Sequence, residues 1–175
     1  NIPSGAGLGG GSADAASTLQ LINSTFGLDI SAEKMLEYAL NLGSDCPFFL
    51  LNKPCIATGR GEIVEPVDVN LSTYKILVVN PGIHVNTGWA FGQLRISGQK
   101  RESLATIVQL PVNEWKHRLV NDFESPVFAA HPAIKQIKET LYQQGALYAA
   151  MSGSGSSVFG IFEKEASGIE IPAGY

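Results

Sequence analysis

"IPSGAGLGGGSADAAS", residues 2–17, is the stretch that decides how this chain begins to fold. Five of the seven positions from Gly5 to Gly11 are glycine, and the residues that follow have the composition of an ordinary helix. Glycine adopts positive φ and lets a ligand approach the backbone, but it costs conformational entropy. A glycine-rich loop directly before a helix therefore predicts a segment folded tightly around a ligand.

The expected ligand is an anion. Several backbone N–H groups at a helix start lack intrahelical partners, and the helix dipole places partial positive charge there. Together these features favour phosphate. Ser12 could cap the helix or offer its hydroxyl to phosphate or a bound metal. A flexible linker or tight turn is the alternative, but the ordered Pro3-x-Gly5-x-Gly7-Leu8-Gly9 pattern favours phosphate.

Two common phosphate loops fit this stretch poorly. The P-loop requires a Lys, and the loop contains none. Gly5-x-Gly7-x-x-Gly10 matches the dinucleotide fingerprint, but any glycine-dense stretch does so, and no preceding strand is visible. The chain starts at Asn1 rather than Met, so we expect it to lack an N-terminal portion of its parent protein.

Composition narrows the class of protein. The 175 residues, 45% of them hydrophobic, correspond to one large domain or two small ones. The net charge of −4 provides no global basic field for nucleic acid or an anionic membrane. Cys46 and Cys55 form neither a disulfide framework nor a metal-ligand spacing, which indicates a cytoplasmic protein.

Apolar spacing predicts the elements around the loop. A first helix should end at Gly27, and its spacing places Ala15, Leu19, Ile22 and Phe26 on one face. A second helix should run from Ser31 to about Gly43. The apolar runs within residues 43–68 predict short strands, and residues 75–79 predict a buried strand. A short helix should follow Thr87.

The last third of the chain predicts a helix and a glycine-rich connection. Residues 132–144 should form a helix that turns Ile134, Ile137 and Leu141 inward. "MSGSGSS", residues 151–157, lies between two apolar runs, and by itself it indicates a hairpin turn between two strands.

Four segments resemble the GHMP kinases, the superfamily of galactokinase, homoserine kinase and mevalonate kinase. "PSGAGLGGGSADAA" (3–16) is similar to their second signature, and "MSGSGSSVFGIF" (151–162) to their C-terminal glycine motif. "GSDCPFF" (43–49) and the run "GGGSADAA" (9–16) are most similar to the members that phosphorylate a cytidine-diphosphate sugar alcohol for isoprenoid synthesis. "NDFE" (121–124) resembles the turn that precedes the final helices. The resemblance covers essentially the whole chain.

This resemblance implies an α+β, two-lobed GHMP kinase fold. Residues 1–74 would be the later part of an incomplete N-terminal ATP-binding lobe, and residues 75–175 a ferredoxin-like lobe on the substrate side. The implied activity transfers phosphate from ATP, which carries Mg²⁺ with it, to the 2-hydroxyl of the small-molecule substrate. The alternatives are another GHMP kinase, of mevalonate or homoserine type, and a nucleotide-binding module without catalysis.

The resemblance also implies roles for particular residues. Asp45 would be the catalytic base, although a lone Asp in such a place is more often solvated or a helix cap. The Lys that pairs with this Asp in the family has no counterpart here. Substrate contacts fall to Thr87, to Phe91 (cytosine stacking, with core packing as the alternative) and to Gly153, Ser154 and Gly155. The residues expected at the phosphates of ATP are Pro3, Ser4, Gly5, Ala6, Gly7, Leu8, Gly9, Gly10, Gly11, Ser12 and Ala13.

Overall fold

The computed structural model describes residues 5–59, 61, 63–95 and 101–170. The chain divides into two compact units. The helical unit is Gly9–Val69, and the sheet unit joins the residues up to Leu8 to those from Asn70 onward. Among the described residues, no helix combines the length and the apolar character needed to cross a membrane.

In its described residues, the helical unit consists of three helices followed by two paired strands. Its elements are α1 (Gly10–Phe26), α2 (Ala32–Leu42), α3 (Cys46–Leu51) and the antiparallel strands β1 (Cys55–Thr58) and β2 (Ile63–Pro66). Gly27 ends α1 with a left-handed φ of 57°, as predicted. The Ser31 hydroxyl accepts a hydrogen bond from the Lys34 N–H, so the predicted start of α2 is confirmed.

One expectation about this unit is wrong. The apolar run Cys46–Leu51 is a helix rather than a strand, because Pro47 lies in the first turn, where its fixed φ suits a helix. The apolar face of α1 is only partly covered: Ala15 and Leu19 are half-buried, whereas Ile22 and Phe26 are 42% and 71% exposed. Apolar spacing shows which residues share a face, but it does not show what covers that face.

The sheet unit is built on one antiparallel sheet with strand order β3-β5-β4. The strands are β3 (Tyr74–Val79), β4 (Tyr148–Met151) and β5 (Val158–Glu163). Between β3 and β4 lie α4 (Thr87–Gln93), α5 (Leu104–Ile107), a 3₁₀ helix (Val112–His117), α6 (Glu124–Ala130) and α7 (Pro132–Gln143). The helix predicted after Thr87 and the hairpin through residues 151–157 are both confirmed.

The core of this unit lies between the sheet and α7. Ile134, Ile137 and Leu141 are fully buried, as their spacing predicted, and they pack in one cluster with Val158 and Phe162 of β5. The prediction of a fully buried β3 is wrong, since Ile76 is 53% exposed while Val79 is buried. An edge strand of an antiparallel sheet covers the core with one face only, so alternate residues remain outside.

Candidate active site

The first glycine loop has the backbone expected of an anion-binding loop. Gly5, Gly7 and Gly9 have φ values of 69°, 76° and 66°, whereas Ala6 and Leu8 between them do not have positive φ. Such alternation turns successive N–H groups toward one side, which makes a concavity suited to anions. Pro3 and Ser4, predicted to contribute, lie outside the described residues.

The start of α1 offers further donors. Gly9 is the N-cap, and the first intrahelical bond runs from Ala13 N–H to Gly9 O at 2.9 Å. No side chain caps this end, and no acidic residue lies in the first turn. The idea that Ser12 caps the helix is wrong, because the helix starts at Gly10 and Ser12 lies within its first turn. The N–H groups of Gly10, Gly11 and Ser12 therefore remain available to an anion.

Within the helical unit, the loop end packs against the helix that Asp45 begins. A Cβ on Gly9 would lie only 2.7 Å from Cζ of Phe49 in α3, so the Phe49 ring would have to move to make room for a larger residue. Asp45 is the N-cap of α3, but its exposed side chain makes no capping hydrogen bond. The carboxylate thus stands at a cap position without being used as a cap.

Within the sheet unit, residues 5–8 pack against the second glycine cluster. The Ser152 hydroxyl donates to Gly7 O at 2.7 Å, and the Ser157 N–H donates to Ala6 O at 3.1 Å. A Cβ on Gly7 would lie 2.3 Å from Ser152 O and 2.8 Å from Gly155 O. Two glycine motifs that are far apart in sequence are therefore in direct backbone contact.

The predicted substrate residues of this unit lie around the second cluster. Thr87, the first residue of α4, shares a 3.1 Å hydroxyl–hydroxyl hydrogen bond with Ser154. Phe91, one turn later on α4, is 60% exposed and meets Phe123 edge-on at 4.9 Å between ring centroids. This exposure makes the core-packing interpretation of Phe91 wrong, and an exposed aromatic ring is suited to contact with a planar ligand.

Two residues that the sequence did not single out individually hold the second glycine cluster. Asn121 donates from its side-chain amide to Met151 O and to Gly153 O, both at 2.8 Å. Glu124, which is buried, accepts the Met151 N–H at 2.9 Å and pairs with Lys138. The resemblance of the NDFE segment (121–124) to a family turn was the one sequence feature that pointed to these two residues. It did not show which backbone groups these side chains reach.

Comparison with family models and curated proteins finds matches over most of the chain. The family model described as GHMP kinases N terminal domain matches residues 1–53, and the model described as GHMP kinases C terminal matches residues 109–173. Together these two models of one superfamily match more than half of the chain. A 4-diphosphocytidyl-2-C-methyl-D-erythritol kinase from Parabacteroides distasonis is 55% identical over 93% of this chain and 60% of its own length. A kinase of the same name from Azobacteroides pseudotrichonymphae is 51% identical over 94% of this chain and 61% of its own length.

Solved structures agree on the fold. A crystal structure of 4-(cytidine 5'-diphospho)-2C-methyl-D-erythritol kinase superposes with a TM-score of 0.78 at 31% identity, over 92% of this chain and 59% of that one. A homoserine kinase from Cytophaga hutchinsonii gives 0.66 at 18% identity, over 94% of this chain and 59% of that one, and this likeness shows the fold alone. The chain spans about 60% of the length of the curated relatives it matches. The expected α+β GHMP kinase fold is confirmed, and the chain belongs to the GHMP kinase superfamily.

Proposed function

We propose that the protein carrying this chain is an ATP-dependent kinase of isoprenoid-precursor synthesis, acting on the 2-hydroxyl of 4-diphosphocytidyl-2-C-methyl-D-erythritol. The name shared by the relatives at 51–55% identity supports this substrate. The reaction type rests on one observation, the contact of Gly9 with Phe49, which sets the uncapped start of α1 against the helix that Asp45 begins. We assign the reaction to the cytoplasm, where free thiols such as Cys46 and Cys55 stay reduced.

Phosphoryl transfer depends on positioning and charge neutralisation more than on covalent chemistry by the protein. We assign the phosphates of ATP to the N–H groups of residues 5–12, with Pro3 and Ser4 leading into that loop; Ala13, also expected there, already donates its N–H to Gly9 O. Mg²⁺ would arrive with the nucleotide, since this ion is commonly held by substrate phosphates and few protein ligands. The Ser12 hydroxyl, in the first turn of α1, is suited to either the phosphate or the ion.

The acceptor alcohol needs a base, and Asp45 supplies it in this proposal. Its carboxylate takes the proton of the 2-hydroxyl while the alcohol oxygen forms a bond to the γ-phosphorus. The bond from that phosphorus to the β,γ-bridging oxygen breaks, and ADP leaves. The Asp45 side chain suits this task because it is exposed and makes no capping hydrogen bond.

The sheet unit would hold the rest of the acceptor. Thr87 and Ser154 present two neighbouring hydroxyls, which suit the polyol end of the substrate. The exposed ring of Phe91 suits stacking on the cytosine ring. Gly153 and Gly155 belong to the same loop as Ser154, and they complete the residues that we assign to the substrate.

The test uses Asp45→Asn in the longest natural protein that contains these residues. We expect kcat with the cytidine diphosphate substrate to fall by about 10²–10⁴-fold, the usual contribution of a general base, while KM changes little. Asp29→Asn is the matched control, because Asp29 is an exposed aspartate of the same unit, and Asn tolerates its left-handed φ of 51°.

Product formation is measured with the cytidine diphosphate alcohol, mevalonate and homoserine side by side. Unchanged turnover in Asp45→Asn would remove Asp45 from the mechanism. Turnover of mevalonate or homoserine in place of the cytidine compound would overturn the substrate and leave the kinase assignment. ATP binding without turnover of any alcohol would identify a nucleotide-binding module instead.

A further inference from the structure

Two neighbouring side chains bond to backbone groups of Met151 that no strand pairs with in the described part of the sheet. Met151 is the last residue of β4, and in the described part of the sheet β4 has a strand partner on one side only, β5. The next residue, Ser152, donates its N–H to Ser157 O at 2.8 Å. Because hydrogen-bonded pairs alternate along antiparallel strands, the N–H and C=O of Met151 point away from β5, toward the open edge.

Asn121 and Glu124 satisfy both of those groups. The Glu124 carboxylate accepts the Met151 N–H at 2.9 Å, and the Asn121 amide donates to Met151 O at 2.8 Å. The same Asn121 amide donates to Gly153 O at 2.8 Å, and its oxygen accepts the Phe123 N–H at 2.9 Å. The amide nitrogen and the amide oxygen of Asn121 are therefore both used in hydrogen bonds.

Glu124 is itself held in place. Its second oxygen pairs with Lys138 of α7, at a nitrogen–oxygen distance of 2.5 Å. The Glu124 side chain is 11% exposed, and the core of the unit lies beside it, as Val127 and Ile134 are fully buried. A charge-assisted bond from a carboxylate fixed in this way is stronger than one from a mobile surface side chain.

The loop that these bonds fix reaches the first glycine motif directly. Beyond Met151, Ser152 donates its hydroxyl to Gly7 O, and Ser157 donates its N–H to Ala6 O. Gly7 lies so close that a Cβ there would be 2.3 Å from Ser152 O. A shift of the second loop must therefore either break these contacts or move residues 5–8 with it.

We propose that Asn121 and Glu124 are positioning residues of the kinase site, replacing a missing strand neighbour at the edge of β4. They hold residues 151–157, and through Ser152 and Ser157 they align the first glycine segment. Neither residue needs to touch a substrate to do this. The inference rests on the proposed function for its catalytic meaning, whereas the loop-holding part stands on the hydrogen bonds alone.

The test compares substitutions at Asn121 with a control substitution at the adjacent residue, Asp122. Asn121→Asp replaces the donating amide with an oxygen that faces two carbonyl oxygens, and Asn121→Ala removes the donors without adding charge. Asp122→Asn is the matched control, because the Asp122 side chain is 53% exposed and pairs with Arg101. Glu124→Gln keeps an acceptor for the Met151 N–H, so we expect it to have a smaller effect.

Amide hydrogen exchange in the 175-residue chain measures how firmly residues 151–157 are held, and it does not require an active enzyme. In both Asn121 variants we expect the Gly155 and Ser157 amides to exchange about tenfold faster or more, as the loss of a hydrogen bond allows. The amide of Ile137, in the centre of α7, should keep its rate. In the longest natural protein, KM for the cytidine diphosphate alcohol should rise about tenfold, by more than kcat falls.

Each other outcome counts against the proposal. Equal acceleration at Ile137 and Ser157, or failure of both Asn121 variants to fold, would show a general stabilising role and overturn it. Faster loop exchange with unchanged kinetic constants would overturn the positioning role and leave the proposed function intact. If the unsubstituted protein phosphorylates none of the alcohols, the proposed function fails, while the exchange rates still decide whether Asn121 holds the loop.

Discussion

The sheet unit covers one face of its sheet with a continuous apolar core, whereas the helical unit leaves many of its large apolar side chains exposed. Phe162 and Phe26 show the contrast, since the first is fully buried in β5 and the second is 71% exposed at the end of α1. Burial of a large apolar side chain contributes roughly 1.5–3 kcal/mol. The sheet unit therefore supplies most of the stability that the 175-residue chain has.

The contrast extends to the two places where a glycine motif meets its surroundings. In the sheet unit Gly7 lies against backbone carbonyls, which hardly move. In the helical unit Gly9 lies against the ring edge of Phe49, a side chain that is itself only half-buried. The same residue type thus has a rigid neighbour in one unit and an adjustable one in the other.

The strongest test of the comparison removes a phenyl ring from each unit. Phe162→Ala should lower the free energy of unfolding by about 3–5 kcal/mol, because it leaves a cavity in a packed core. Phe26→Ala deletes the same atoms from an exposed position and should cost no more than about 0.5 kcal/mol. Urea denaturation followed by circular dichroism measures both variants. Similar losses would mean that Phe26 is covered in solution, and the comparison would fail.

A second test uses one glycine of left-handed φ from each unit. Gly7→Ala and Gly27→Ala both force alanine into that region, which costs roughly 1–2 kcal/mol. Gly27 has no atom within 4 Å of an added Cβ, whereas Gly7 has Ser152 O at 2.3 Å. Gly7→Ala should therefore cost about 1–3 kcal/mol more, as overpacking typically does.

The same urea titrations give this difference directly. Equal costs at the two glycines would show that residues 151–157 yield easily when a methyl group is added to Gly7. The rigid contact between the two glycine motifs would then be wrong, and the positioning proposed for Asn121 would lose its basis.

Local features of the fold were predictable because they depend on local chemistry. Gly27 as a helix end, Ser31 as a cap and the inner face of α7 all follow from one or two turns of sequence. Cys46–Leu51 was mistaken for a strand because a short apolar run has no periodicity that separates the two structures. How far the apolar face of α1 is covered could not be predicted from its spacing, because coverage depends on other segments.

The same limit applies to the candidate site: residue types could be selected from the sequence, but contacts between distant segments could not. The glycine loop and Asp45 could be selected from residue types that suit phosphate and proton transfer, and their roles stay predictions. The contact between Gly7 and Ser152 could not be read from the sequence, since it joins residues far apart in the chain. The role of Asn121 could not be predicted for the same reason. Its amide donates to backbone carbonyls, and every residue has one, so the sequence does not show which of them it reaches.

The smallest of the expected effects concerns a buried hydroxyl of the sheet unit. Tyr148 is 4% exposed, and its hydroxyl donates to Leu119 O at 2.9 Å. Burial raises the pKa of Tyr148 above its usual range, and the nearby Glu124 carboxylate adds to the rise. The neutral phenol is thus favoured in the folded state. Its contribution is fully present below pH 10 and is lost as the pH rises further.

Tyr148→Phe measures this contribution. Near pH 8 the unsubstituted chain should be more stable by about 1 kcal/mol, the worth of one hydrogen bond. Above pH 10 that advantage should shrink by about 1.4 kcal/mol per pH unit and then reverse, because the folded state holds one proton more than the unfolded chain. Tyr38→Phe, on the exposed side of α2, is the control and should follow the unsubstituted chain. A stability difference between the two chains that stays constant from pH 8 to 11 would mean that water reaches the Tyr148 hydroxyl. The core of the sheet unit would then be more accessible to water than its contacts with α7 imply.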